Sequence, residues 1–168
     1  MRQYFRGVAV AVALMLAFPS AARPDPPDRF VFGNPMGTLR FSLADGTLTG
    51  DGPVLDAGGL GAIDWSLELS LAPVVGQPLC RQASGTMRWT KPSGHYLLLS
   101  VFGGVCYDPN ARLFLNDPEV FRLKVIDGTG RFEGWTGTGV WGMVGSVDDS
   151  GAAATLTRST AELDIARR

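Results

Sequence analysis

Ile63-Asp64-Trp65-Ser66-Leu67-Glu68-Leu69-Ser70-Leu71 alternates apolar and polar side chains without a slip. A strict period of two is the pattern of a β-strand with one face buried and the other in water. Trp65, Leu67, Leu69 and Leu71 are therefore expected on the buried face, with Asp64, Ser66, Glu68 and Ser70 outside.

The same rhythm recurs on both sides of this segment. Residues 38–43 place Leu39, Phe41 and Leu43 on one face, and residues 85–90 place Met87 and Trp89 inward. Residues 119–126 alternate Phe121, Leu123 and Val125 against Arg122 and Lys124. Residues 96–102 are apolar on both faces, as for a strand covered from two sides. Residues 30–32 predict a short first strand, and 130–135, 138–144 and 153–165 predict the last three. The turns are Ala44-Asp45-Gly46, Lys91-Pro92-Ser93-Gly94 and Asp148-Asp149-Ser150-Gly151. Asp-Gly between alternating runs is a hairpin signal. Residues 51–62, 73–78 and 107–118 lack a period and are read as loops.

Eight or nine short strands follow one another with no helical pattern between them. That predicts an all-β fold, and about eight strands is the size at which an antiparallel meander closes into a barrel holding side chains or one small ligand. The 22 glycines and 11 prolines suit many tight turns, and glycines along strands, such as Gly134, Gly137, Gly139, Gly142 and Gly145, suit sharp bends. A sandwich of two sheets is the competing architecture.

The first residues read as an export signal. Arg2 and Arg6 flank a short start, an apolar run of about a dozen residues follows, and Ser20-Ala21-Ala22 offers a small-residue cleavage site. The run is shorter than the ~20 residues of a membrane-spanning helix. The expected organisation is a signal peptide at 1–22, an extended proline-rich leader at 23–29 and one β-barrel domain at 30–166, in a secreted or periplasmic protein. The membrane is then met during export alone. An outer-membrane barrel would need longer strands with apolar outer faces and aromatic girdles.

Without residues 1–22 the chain carries 13 basic against 16 acidic residues, and no basic cluster. Nucleic acid is therefore excluded as a partner, because phosphate neutralisation needs a basic stripe. Cys80 and Cys106 are the two cysteines, and in an oxidising compartment a lone pair is most simply a disulfide. Two thiols and the single His95 fall short of a zinc set, so neither metal nor cofactor is implied.

Asp127-Gly128-Thr129-Gly130-Arg131-Phe132, followed by Gly134, marks a tight turn at a strand end. No helix can follow it, so it cannot hold a pyrophosphate as a dinucleotide loop does. From Val125 to Gly137 the segment resembles the Gly-Thr-Gly-Arg-Phe turn of dirigent proteins and of bacterial secreted members of the allene-oxide-cyclase-like barrel superfamily. The resemblance implies an eight-stranded antiparallel barrel with a mainly apolar lumen, and no single activity. Asp127 stands where dirigent proteins usually have another glycine, and Trp135 where they usually have alanine.

Candidates at a lumen or rim are Arg131, Asp127, Trp135, Trp65 and Trp89. Arg131 could hold a carboxylate, or could pack over Phe132 or Trp135. The tryptophans could be core or lumen wall. Asp108, Asp117, Glu119 and Asp127 could converge at one barrel end for acid–base work, although Asp is also common in turns. No Gly-x-Ser-x-Gly elbow accompanies His95. The expected function is a non-catalytic module, structural or binding a small apolar ligand. The alternative is a dirigent- or cyclase-like protein guiding the reaction of an apolar substrate in its lumen.

Overall fold

The computed structural model describes residues 28–42, 44–56, 60–116 and 120–167. The expected signal peptide, residues 23–27 of the leader and Leu43 lie outside them. Ten antiparallel strands form one sheet among the described residues. They are β1 (Asp28–Pro35), β2 (Thr38–Ser42), β3 (Thr47–Asp56), β4 (Ile63–Val74), β5 (Gln77–Thr90), β6 (Tyr96–Asp108), β7 (Leu113–Leu115), β8 (Phe121–Gly128), β9 (Trp135–Val147) and β10 (Ala153–Arg167).

The hydrogen bonds run round in a closed, barrel-like ring. β1 and β2 share one position between β10 and β3: β1 lies along residues 160–165 of β10, and β2 along residues 153–155. β7 and β8 likewise share one position between β6 and β9. Ten strands thus occupy eight positions, in the meander order expected of the sequence.

Side chains decide which way the ring faces. Leu39, Leu48, Trp65, Leu67, Met87, Trp89, Leu97, Leu99, Phe121, Leu123, Trp141 and Leu163 are buried inside. Asp64, Ser66, Glu68, Ser70, Arg122 and Lys124 alternate with them and are exposed. This polarity is the reverse of a barrel in lipid, which is apolar outside and polar within. Phe102 departs from the expectation that both faces of its strand are covered, being 54% exposed on the outer wall.

Each shared position contains a break, and each break has its own repair. Between β1 and β2, Met36 accepts a hydrogen bond from the Trp65 indole N–H (3.1 Å), and the indole lies on Gly37 and Gly50, where a Cβ would fall 2.7–2.9 Å from its ring atoms. Between β7 and β8 stands Asn116, 2% exposed. Its side-chain amide donates to the Trp141 carbonyl (2.7 Å) and accepts from the Met143 N–H (2.8 Å). One amide side chain thus supplies the donor and the acceptor that a missing strand residue would have offered β9.

Several boundaries differ from the sequence reading. β3 extends to Asp56 through what was read as a loop from residue 51, and β1 begins at Asp28, inside the expected leader. The loop at 73–78 shrinks to a two-residue turn at Val75-Gly76, and residues 113–115 of the expected loop at 107–118 form β7. β4, β5, β6, β9 and β10 span 12 to 15 residues, longer than expected. Prolines and glycines hid these extensions, because ladder pairing on long neighbouring strands overrides weak local propensity. Residues 130–132, expected as strand, form a short 3-10 turn.

Cys80 and Cys106 face each other across β5 and β6 and form a disulfide. The pair closes a loop of 26 residues' separation. Replacing both cysteines by serine is expected to lower unfolding free energy by about 3 kcal/mol on the chain-entropy account, read from urea denaturation midpoints.

Candidate functional site

The two ends of the barrel are built differently. One end carries the turns β3–β4, β5–β6 and β8–β9, and it is sealed from within. Thr129 anchors the 3-10 turn: its N–H donates to the Tyr96 carbonyl (2.9 Å) and its hydroxyl oxygen accepts from the Tyr96 N–H (3.1 Å). Gly130 then takes φ +59°, a left-handed conformation, with the His95 ring so close that a Cβ would meet it at 2.5 Å. Both constraints require glycine here. The turn folds Phe132 back into the barrel end, where it is 1% exposed and packs edge-on to Trp135 (5.0 Å between centroids). Leu60 is also buried at this end, and Lys91 Nζ donates to its carbonyl.

The other end carries the β2–β3, β4–β5, β6–β7 and β9–β10 turns and the disulfide, and it stays open. Phe41, Leu71, Leu79, Arg81, Tyr107 and Phe114 share the inward parity of their strands and line an apolar cavity of about 160 Å³ there. Phe41 and Phe114 stack on each other in its wall, with centroids 5.3 Å apart and planes 11° from parallel. Pro78, Val105, Cys106 and Gly151 complete the wall. Arg81 is the single charged lining residue among the described residues; its Nη1 donates to the carbonyls of Pro78 and Cys80, both at 2.8 Å.

The rim of this mouth is tied together by hydrogen bonds between turns. Arg112, at φ 53°, donates through Nη1 to Asp149 Oδ1 (2.8 Å) and through Nη2 to the Asp148 carbonyl (2.5 Å). Asp148 Oδ1 in turn accepts from the Ser150 hydroxyl (2.7 Å) and the Gly151 N–H (3.0 Å). The Ser150 hydrogen bond, with backbone N–H donors behind it, holds the Asp148 carboxyl below its ordinary 3.8. A depressed native value means that this contribution is present above pH 3.8 and is lost as pH falls through the native value. Acidification below pH 3.8 is therefore expected to loosen the β9–β10 turn before the core. Amide exchange at Gly151 and Ala153 reads this, and Asp148→Asn abolishes the pH dependence.

The candidates named from sequence divide between three places. Trp65 and Trp89 fill the barrel interior at 2–3% exposure. Trp135 and Asp127 line a broad, open depression outside the sealed end, together with Ile126, Glu133 and Thr136. Arg131 is exposed at that end, its guanidinium 5.7 Å from the Phe132 ring centroid. Asp127 accepts from the Tyr96 hydroxyl (2.9 Å) and from the Gly128 N–H (2.8 Å), and Arg88 lies over the Tyr96 ring at 4.4 Å. Its hydrogen bond to Asp127 raises the Tyr96 hydroxyl above its ordinary 10.0, desolvation and the carboxylate charge adding to the effect.

No convergence of carboxylates occurs among the described residues considered for it. Asp108 accepts from Asn110 and Ala111 in its own turn at the open end, Asp127 is at the sealed end, and Asp117 and Glu119 lie outside the described residues. The cavity residues Phe41, Leu71, Leu79, Arg81, Tyr107 and Phe114 were not among the expected site residues. Their signal was present in Cys80 and Cys106: pairing them brings the segments at 78–81 and 105–107 to one mouth.

The chain was compared with protein-family models, with curated proteins and with solved structures, and nothing matched in any of the three.

Proposed function

We propose that this is an exported, non-catalytic binding protein that holds a small apolar molecule in the open mouth of its barrel. One observation carries the reading: a cavity of about 160 Å³ walled by Phe41, Leu71, Leu79, Tyr107 and Phe114, at the end that the chain's own aromatics leave unfilled. Binding cavities are concave, mostly apolar and largely pre-formed, and this one has that character. The disulfide beside it fits an oxidising compartment. The interior behind the mouth is packed with Trp65, Trp89, Trp141 and Phe121, so the ligand sits at the end of the barrel rather than along its axis. The resemblance of the glycine turn to dirigent-like barrels supports the architecture; Asp127 and Arg131 lie at the sealed end and take no part in binding.

Toluene added to the folded, disulfide-intact protein is expected to bind saturably, with a dissociation constant in about the 0.1–1 mM range expected of so few atoms. Leu71→Trp, which fills the mouth with a larger side chain, is expected to abolish that binding and leave the melting temperature within a few degrees. Absence of saturable binding to the unmodified protein would remove the proposal.

A further inference from the structure

Resting on that reading, we infer that the ligand is a single-ring aromatic carboxylate, its ring against Phe41 and Phe114 and its carboxylate on Arg81. Size sets the first limit. An apolar cavity of about 150 Å³ takes up a benzene molecule, so one of about 160 Å³ admits one ring with a short substituent. The wall sets the second. The stacked Phe41 and Phe114 rings, with Tyr107 beside them, offer aromatic surface to a planar guest.

Charge sets the third. Arg81 lines an otherwise apolar mouth, is half-buried, and has no carboxylate paired with it among the described residues, where arginines pair with acids at Arg40–Asp51 and Arg112–Asp149. Among the described residues, no acidic side chain lines the cavity. Its hydrogen bonds to the main chain at Pro78 and Cys80 both use Nη1, which fixes the guanidinium, and the proposed carboxylate is met by Nε and Nη2. A guanidinium fork matches a carboxylate bidentately, and a pre-positioned fork loses little freedom on binding.

The test compares phenylacetate, phenylacetamide, toluene and acetate by ligand-observed NMR titration of the folded protein. Phenylacetate is expected to bind at least about tenfold tighter than phenylacetamide, as a charge-assisted pair gives, and acetate to bind weakly or not at all. Arg81→Gln is expected to erase the difference between acid and amide, and a cooperative urea unfolding transition shows that the variant is folded. Independently of any variant, phenylacetate affinity should fall as pH drops through the ligand's own carboxyl pKa. Equal affinity for acid and amide in the unmodified protein, with toluene still bound, overturns the assignment to Arg81 and leaves the apolar-binding reading standing. Failure of all three arenes overturns both.

Discussion

Phe132→Ala is expected to lower unfolding free energy by about 3–5 kcal/mol, the usual loss when a buried aromatic is cut to a methyl. Phe132 is 1% exposed, seals one end of the barrel, and makes the edge contact that holds Trp135. Urea denaturation reads the loss, and two further results show where it acts. Toluene affinity at the opposite mouth should be unchanged in the variant that remains folded, since no residue of that cavity belongs to the seal. Trp135 fluorescence should shift to the red as water enters. A loss under about 1 kcal/mol would mean that the 3-10 turn does not seal the barrel.

Asn116→Leu is expected to cost about as much, roughly 3–5 kcal/mol, through a different mechanism. Leucine keeps the heavy-atom count and Cγ branching of asparagine, though it is bulkier, and it leaves the Trp141 carbonyl and the Met143 N–H without the side-chain partners they have in a dry wall. Each orphaned backbone group costs about 1–3 kcal/mol, and neither β7 nor β8 pairs with Met143 to replace its bond. Asn116→Asp keeps the acceptor for Met143, removes the donor to Trp141 and adds a buried charge, so it should be no better near neutral pH. Its stability should recover in part as pH falls and the carboxyl takes up a proton, which turns the charged group into a donor. A leucine variant as stable as the parent would show that β9 does not rely on this side chain.

Alternation made the inner wall legible, as at Trp65, Leu67 and Leu69, Met87 and Trp89, and Phe121, Leu123 and Val125. A period of two is a direct record of which side faces the core, so the all-β class and the closed meander followed from it. Two features were not legible. The extension of β5 back to Gln77 depends on pairing with Val74 and Pro73 of β4, and with β6 from Cys80 on, which residue-level propensity does not record, and that extension puts Leu79 and Arg81 at the mouth. The 3-10 turn at Gly130–Phe132 lies where the glycine motif marks a tight turn, but the strand expected from residue 130 begins at Trp135; burial of Phe132 behind a left-handed glycine sets that boundary. The glycine motif was therefore informative about the barrel's closed end, while the site lay at the other.

The division of the barrel into a sealed end and an open, ligand-holding end is tested most directly by locating a bound arene. Chemical-shift perturbation of side-chain signals during a toluene titration is the measurement. The largest shifts are expected at Phe41, Leu71, Leu79 and Phe114, with Asp127, Phe132 and Trp135 unmoved; shifts centred on Phe132 and Trp135, or none that saturate, would contradict the division.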